Sequence, residues 1–275
     1  MTVPPLRRDD VLRLTQMGAV VPEGHNLLYF EHLLRYRFAR DQAPARGVAV
    51  DLGCGQGYGT ALLRERVRRA IGGDLFADSL SFARARYPGP GLDYLRFDAR
   101  RIPLGAGCVD LVVCFEAIEH VTAPERLVRE AARGLRPGGV FLVSTPYLEH
   151  AAEGRPENPL HEKEYTADEF RELLRPSFGE VELLGQTREA EAVAVEGGWK
   201  KIRALDPFGL RRFLPRGWIT RTARGIARMS GRTAPTEERL EAFTRIIPDT
   251  RPGIRYMIAV GKKPGAKVQE LGTRN

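Results

Sequence analysis

The stretch VAVDLGCGQGYGT, residues 48–60, decides the fold. Its opening residues are apolar apart from Asp51 and read as a short buried strand. Glycines follow at positions 53, 55, 57 and 59, and the chain then enters a helical pattern. Glycine lets the backbone turn tightly and lets a ligand approach it closely. A glycine loop between a first parallel strand and a helix is where doubly wound sheets bind ligands. The dinucleotide fingerprint G-x-G-x-x-G does not fit this loop. Started at Gly53 its last glycine falls on Tyr58, and started at Gly55 it falls on Thr60. Asp51 would face a pyrophosphate unfavourably, but it suits a ligand that carries an ammonium group.

Outward from the loop, strand and helix patterns alternate. Strands are expected at 47–52, 67–74, 92–97, 109–115 and 140–144, with helices at 57–66, 79–87 and 124–135 between them. A helix over 26–39 precedes the first strand. A helix over 166–174 follows the fifth, with Thr166 and Glu169 as a capping box. Strands at 179–184 and 254–261 complete the pattern. Such alternation means βαβ units and a mainly parallel sheet. The expected organisation is a helical lead-in or cap over 1–45 and a core over 46–185 and 254–263. A basic insertion or cap over 186–253 and a disordered tail over 264–275 complete it.

Bulk properties bound the function. The chain has 275 residues, 43% of them hydrophobic and 28% charged, which is ordinary for a globular protein. No apolar run reaches the roughly 18–20 residues of a membrane span. The N-terminus lacks a secretory pattern, so the expected compartment is the cytoplasm. Three cysteines without a CxxC pair argue against a disulfide framework or a zinc site, and buried free thiols are expected. No metal-ligand set stands out.

Two further acids follow the loop in order. Asp74 closes the second strand about twenty residues on, where a carboxylate can accept both hydroxyl hydrogens of a ribose. Asp98 follows the third strand and could receive an adenine amino group, or be only a turn residue.

With these pieces in place, the sequence resembles bacterial class I S-adenosylmethionine-dependent methyltransferases of the small-molecule and glycan-modifying kind. The resemblance runs from about residue 31 to 186. It is carried by EHLLRYRFA (31–39), VAVDLGCGQGYGT (48–60), GGDLFADSL (72–80), FDARRIPL (97–104), VDLVVCFEAIEHV (109–121), LRPGGVFLVSTP (135–146), NPLHEKEYTADEF (158–170) and LLGQ (183–186). It implies a Rossmann-like doubly wound sheet of seven strands with the last strand antiparallel. It implies S-adenosyl-L-methionine as cofactor, held by Asp51, Gly53, Cys54, Gly55, Gly57, Asp74, Leu75, Asp98, Ala99, Phe115 and Glu116. Glu31-His32 and Arg35-Tyr36 lie one helical turn apart. That face could turn to the cofactor, with Arg35 pairing its carboxylate, or be simply solvated.

Methyl transfer from a sulfonium is an in-line displacement with a neutral leaving group, so positioning supplies most of the catalysis. A hydroxyl nucleophile gains from a general base. His32, His120, His150 and His161 are the candidates. His161, in the polar segment after the fifth strand with Glu162 and Glu164 beside it, is the preferred base. His120 follows Glu119 just past the fourth strand, near the expected methyl group, and is read as structural or cofactor-adjacent first and as a second candidate base after that. The acceptor is expected to be a small molecule or glycan, with O-methylation of a sugar, glycolipid or secondary metabolite. The alternatives are an RNA methyltransferase and a non-catalytic binding protein.

The formal net charge is +8, and residues 198–232 concentrate Lys and Arg around Trp199, Phe208, Phe213 and Trp218. Aromatics among cations suit an anionic membrane surface, a phosphorylated glycan or nucleic acid, the last disfavoured because no nucleic-acid module is legible. A substrate cap with a solvated basic face is the plainer alternative.

Overall fold

The computed structural model describes residues 27–149, 156, 158, 160–188, 244–248 and 254–265. By its contacts the chain divides into two units, Met1–Thr187 with Ile246–Asn275, and Arg188–Arg245. The lead-in before residue 27, the basic stretch 198–232, His150 and the tail beyond 265 lie outside the described residues.

The first unit opens with α1 (Leu27–Gln42) and runs through β1 (Val48–Leu52), α2 (Tyr58–Arg64), β2 (Arg69–Asp74), α3 (Ala77–Arg86), β3 (Leu92–Arg96) and β4 (Val109–Phe115). A single 3-10 turn (Ile118–His120), α4 (Pro124–Gly134), β5 (Leu135–Pro146), α5 (Ala167–Phe178) and β6 (Val181–Arg188) follow. The strands β7 (Thr244–Ile247) and β8 (Ile254–Lys262) end the described chain. The sheet order is β3-β2-β1-β4-β5-β8-β6-β7.

Strands β1 to β5 pair in parallel. The last strand, β8, slots between β5 and β6 and runs antiparallel to both. The antiparallel last strand agrees with the sequence reading, but the sheet has eight strands rather than seven. The additional one is β7, four residues, TRII, from the end of the expected insertion. It is too short to stand out by periodicity.

Two other boundaries moved for physical reasons. The fifth strand begins at Leu135 because Val109 pairs Leu135 while Leu111 pairs Val140, so residues 136–139 loop out as a bulge. Gly138 sits at φ 79° there, and its N–H donates to the Lys263 carbonyl at 3.0 Å. The helix expected to stop before Pro176 continues to Phe178, because Phe178 is buried and stacks on Phe141 at 5.4 Å. Tertiary packing outweighs the proline in the last turn. The Thr166 capping box forms as expected, its hydroxyl accepting from the Glu169 N–H.

The core lies on both sheet faces. On one, Val50, Leu52, Val112, Phe141 and Val143 meet Leu127, Val128, Phe170 and Leu174 of α4 and α5. On the other, Ala49, Leu111, Val113 and Leu142 meet Tyr36 and Ala39 of α1 and Leu63 of α2. Each large apolar side chain buried this way contributes about 1.5–3 kcal/mol. Burial on both faces explains why VDLVVCF reads as a continuous apolar run. Cys54 and Cys114 are buried free thiols, whereas Cys108 is exposed in the loop before β4, contrary to expectation. No described helix is long and apolar enough to cross a membrane.

Candidate active site

The carboxyl ends of β1, β2, β4 and β5 converge on the glycine loop. Gly53, Gly55 and Gly57 have φ of 73°, 51° and 80°, the left-handed region that favours glycine. A Cβ on Gly57 would lie 2.6 Å from both Ala83 and the Tyr94 ring, so this glycine is required by packing. A Cβ on Gly55 would meet nothing within 4 Å, so that position is open for a ligand to approach. The Gly53 and Cys54 N–H groups donate to the Gly73 carbonyl, at 2.8 and 3.1 Å, and tie the loop to β2.

Asp74 is fixed by the same loop. Its Oδ2 accepts the Gly55 N–H at 2.8 Å and its Oδ1 the Phe76 N–H at 2.9 Å. Each oxygen keeps a second lone pair for a ligand hydroxyl. Beside it Leu75 and Phe76 are 53% and 64% exposed, an apolar rim on an otherwise polar edge. Asp98 is gripped by Arg100, whose Nη2 donates at 2.6 Å and whose backbone N–H donates at 2.8 Å. Those hydrogen bonds hold the Asp98 carboxyl below its ordinary range. Arg100 in turn donates to the Thr122 hydroxyl at 2.7 Å, bracing the Asp98–Ala99 turn against the segment after β4.

Asp51 is fully buried, and both its oxygens are occupied. Tyr36 donates to them at 3.0 and 3.2 Å and Thr60 donates to Oδ2 at 2.6 Å. Burial pushes the carboxyl up to about 7, with the Tyr36 and Thr60 hydroxyls opposing. In this arrangement Asp51 clamps α1 and α2 to the loop, Oδ2 accepting from both Tyr36 and Thr60 and Oδ1 from Tyr36 alone. Cys54 is buried behind the loop, and Phe115 packs edge-on against Tyr36 at 5.0 Å.

The α1 face is buried rather than solvated: Glu31, Arg35 and Tyr36 are all inside. Arg35 Nη1 donates to Gln186 Oε1 at 2.6 Å, and its guanidinium lies over the Tyr256 ring at 4.5 Å. Nη2 stands 3.9 Å from Glu116 Oε1. Arg35 Nε and Nη2 are buried without a hydrogen-bond partner. His32 is buried on the same helix, and burial followed by the Arg35 charge holds its imidazole well below the ordinary range. That removes it from contention as an accessible base.

Glu116 turns the chain after β4 at φ 51° and accepts from Ser144 Oγ at 2.7 Å. A Cβ on Gly53 would lie 2.8 Å from that of Ala117, so this corner abuts the glycine loop. Burial raises the Glu116 carboxyl despite Arg35 and Ser144. Burial, then the neighbouring Glu116, raises that of Glu119 further. The Glu119 carbonyl accepts the N–H groups of Glu162 and Lys163 at 2.7 and 3.2 Å, which docks the segment after β5 here. The result is an imidazole pair, His120 and His161, with ring centroids 4.9 Å apart. His161 Nδ1 lies 2.7 Å from Glu164 Oε1, and its Nε2 lies 2.8 Å from Asn158 Nδ2. Asn158 Oδ1 accepts the Leu160 N–H at 3.0 Å, which fixes the amide so that Nδ2 faces the ring. His161 therefore donates through Nδ1 and accepts at Nε2.

The structure thus brings Arg35, Glu116, His120 and His161 to the edge of the loop. Asp74 is bonded to Gly55 of the loop itself, and Arg100 ties Asp98 to Thr122 in the segment after β4. Sequence reasoning missed Thr60, Ser144 and Gln186 as partners of Asp51, Glu116 and Arg35. Their separations of 9, 28 and 151 residues carry no local pattern.

Known proteins resemble this chain in sequence and in fold. Residues 50–143 match the family described as a methyltransferase domain. A protein of Mycolicibacterium smegmatis named as a probable S-adenosylmethionine-dependent methyltransferase is 40% identical over 159 residues, 57% of this chain and 61% of the relative. A fatty-acid O-methyltransferase of the same species is 33% identical over 149 residues, 50% of this chain and 54% of the relative. The alignments thus span between half and two thirds of these relatives' lengths. The solved structure of a SAM-dependent methyltransferase from Thermotoga maritima shares the fold, with a TM-score of 0.57, 17% identity, and coverage of 93% and 95% of the two chains. The fold is shared with a solved S-adenosylmethionine-dependent methyltransferase, and residues 50–143 carry the likeness to the methyltransferase domain.

Proposed function

We propose that this chain transfers a methyl group from S-adenosylmethionine to a hydroxyl oxygen of a sugar, glycolipid or secondary metabolite. One observation carries the reading: the Glu119 carbonyl docks the segment bearing His161 onto the corner that abuts Gly53. A proton acceptor is thereby held beside the glycine loop.

S-adenosylmethionine supplies a methyl group on a cationic sulfur whose departure leaves a neutral thioether. The residues present fit it. The open face at Gly55 receives the ligand against the backbone, and Asp74 offers two carboxylate lone pairs to a ribose. The orphaned Nε and Nη2 of Arg35 are donors suited to a carboxylate. On the acceptor side, Glu164 orients the His161 ring through its Nδ1. An acceptor hydroxyl that displaced the Asn158 amide would find Nε2 ready to take its proton. The oxygen acceptor is in keeping with the similarity to a fatty-acid O-methyltransferase.

The test is mass spectrometry of products formed from methyl-labelled S-adenosylmethionine with a panel of glycans, lipids and cell extracts. A labelled O-methyl product is expected. His161→Ala should lower its formation far more than it lowers cofactor affinity. Wild-type turnover in that variant would remove His161 from the chemistry.

A further inference from the structure

Glu119, His120 and His161 each offer one ligand atom, and these atoms lie within 4.8 Å of one another. Ligands about 2.1 Å from a cation sit roughly 3–4 Å apart, so the three atoms must draw somewhat closer to share one ion. We propose that these three residues form a binding site for a divalent transition-metal cation at the acceptor side of the cleft.

Three independent features point this way. The first is the hydrogen bonding behind the imidazoles. His120 Nδ1 lies 2.8 Å from the Leu160 carbonyl, and His161 Nδ1 lies 2.7 Å from the Glu164 carboxylate. Both acceptors fix the Nδ1–H tautomer and leave Nε2 as the lone-pair nitrogen, which on His161 accepts from Asn158 Nδ2 at 2.8 Å until a cation displaces that amide. This is the arrangement that orients metal-bound histidines. The second is Glu119 Oε2, buried without a hydrogen-bond partner. A carboxylate oxygen buried in that way is costly unless something cationic or a donor meets it. The third is graded exposure: Glu119 is buried, His161 intermediate and His120 exposed. One side of the set stays open, as catalytic rather than structural sites require. Two imidazoles and one carboxylate suit Mn²⁺, Fe²⁺ or Zn²⁺ better than Mg²⁺, which prefers oxygen throughout.

The inference rests on the methyl-transfer reading for its purpose and assigns His161 a ligand role in place of free base. A cation here lowers the pKa of an acceptor hydroxyl. The proton leaves to solvent as the oxygen–carbon bond forms and the carbon–sulfur bond breaks, its electron pair going to sulfur.

The experiment uses the full chain, stripped with a chelator and titrated calorimetrically with Mn²⁺, Zn²⁺ and Mg²⁺ separately. About one equivalent of Mn²⁺ or Zn²⁺ should bind, with Mg²⁺ weaker. Glu119→Gln and His120→Ala should abolish binding, and Glu164→Gln should weaken it about 10–100-fold. Loading with Co²⁺ should give visible absorption bands that change in Glu119→Gln, a readout independent of turnover. Circular dichroism and S-adenosylmethionine titration confirm that each variant is folded. No cation bound by wild type, or equal binding by all variants, overturns the site. Full methyl transfer by the stripped protein overturns the cation's part in the reaction, and leaves the methyl-transfer reading with His161 as base. Stoichiometric binding with no methylated product from any acceptor upholds the site and refutes that reading instead.

Discussion

Arg35 Nη1 donates to Gln186 Oε1 across 2.6 Å, joining α1 to β6 in the interior. Gln186 Nε2 also donates to the Glu31 carbonyl at 3.1 Å, so one amide satisfies two groups of the same helix. This pair fixes α1 against the sheet beside Glu116 and thereby shapes one wall of the cofactor cleft.

Replacing Gln186 should therefore cost stability and binding together. Gln186→Leu leaves a buried cationic nitrogen and a buried carbonyl each short of a hydrogen bond. A charged hydrogen bond of this kind is worth about 1.5–3 kcal/mol. Denaturant unfolding should show a loss of about 2 kcal/mol, and calorimetry should show weaker S-adenosylmethionine binding. An unchanged midpoint would show that Arg35 finds another partner.

Asp51 makes stability depend on pH. Its folded carboxyl is pushed up to about 7, well above the ordinary value, so the folded state holds the proton more tightly than the unfolded chain. The sign follows: stability falls as pH rises between about 4 and 7 and levels off above. Between pH 5 and 8 the wild type should lose about 2 kcal/mol relative to Asp51→Asn. Urea titrations of both proteins at the two pH values measure the difference. A constant difference would refute the assignment.

Gly55 and Gly57 should separate binding from folding. Both have positive φ, and alanine there carries roughly 1–2 kcal/mol of backbone strain. For Gly55→Ala nothing else is added, because its Cβ enters open space. Gly55→Ala should fold with a small loss yet bind S-adenosylmethionine at least about tenfold less tightly, because the methyl occupies ligand space. Gly57→Ala also drives a Cβ into Ala83 and Tyr94, and should lose a further ~1–3 kcal/mol. Thermal unfolding and calorimetry on the two variants make the comparison.

Asp74 should govern cofactor affinity. Asp74→Ala removes both the ribose acceptor and the acceptor for the Gly55 N–H. Binding should weaken about tenfold or more, each such hydrogen bond being worth about 1–2 kcal/mol. Native affinity by calorimetric titration would remove Asp74 from the site.

The parallel strands β1 to β5 and the glycine loop could be read along the chain, whereas β7 could not. VAVDLGCGQGYGT needs glycine at specific turns, and its alternation with helices admits few topologies. The ordered acids at 51, 74 and 98 were legible because each sits at or just past the carboxyl end of a strand, and strand ends in such sheets face one cleft. Tertiary structure alone decided what those residues touch. It put Tyr36 and Thr60 on both oxygens of Asp51, and Arg100 on Asp98. It buried Arg35 against Gln186, 151 residues away, where helix periodicity could equally have meant a solvated face. It also joined Glu119 and His120 to His161, a grouping that no local spacing announces. The physical reason is the same throughout. Backbone preferences and apolar periodicity act between near neighbours and can be read along the chain. The partner of a buried polar group is chosen by which strands the sheet sets side by side.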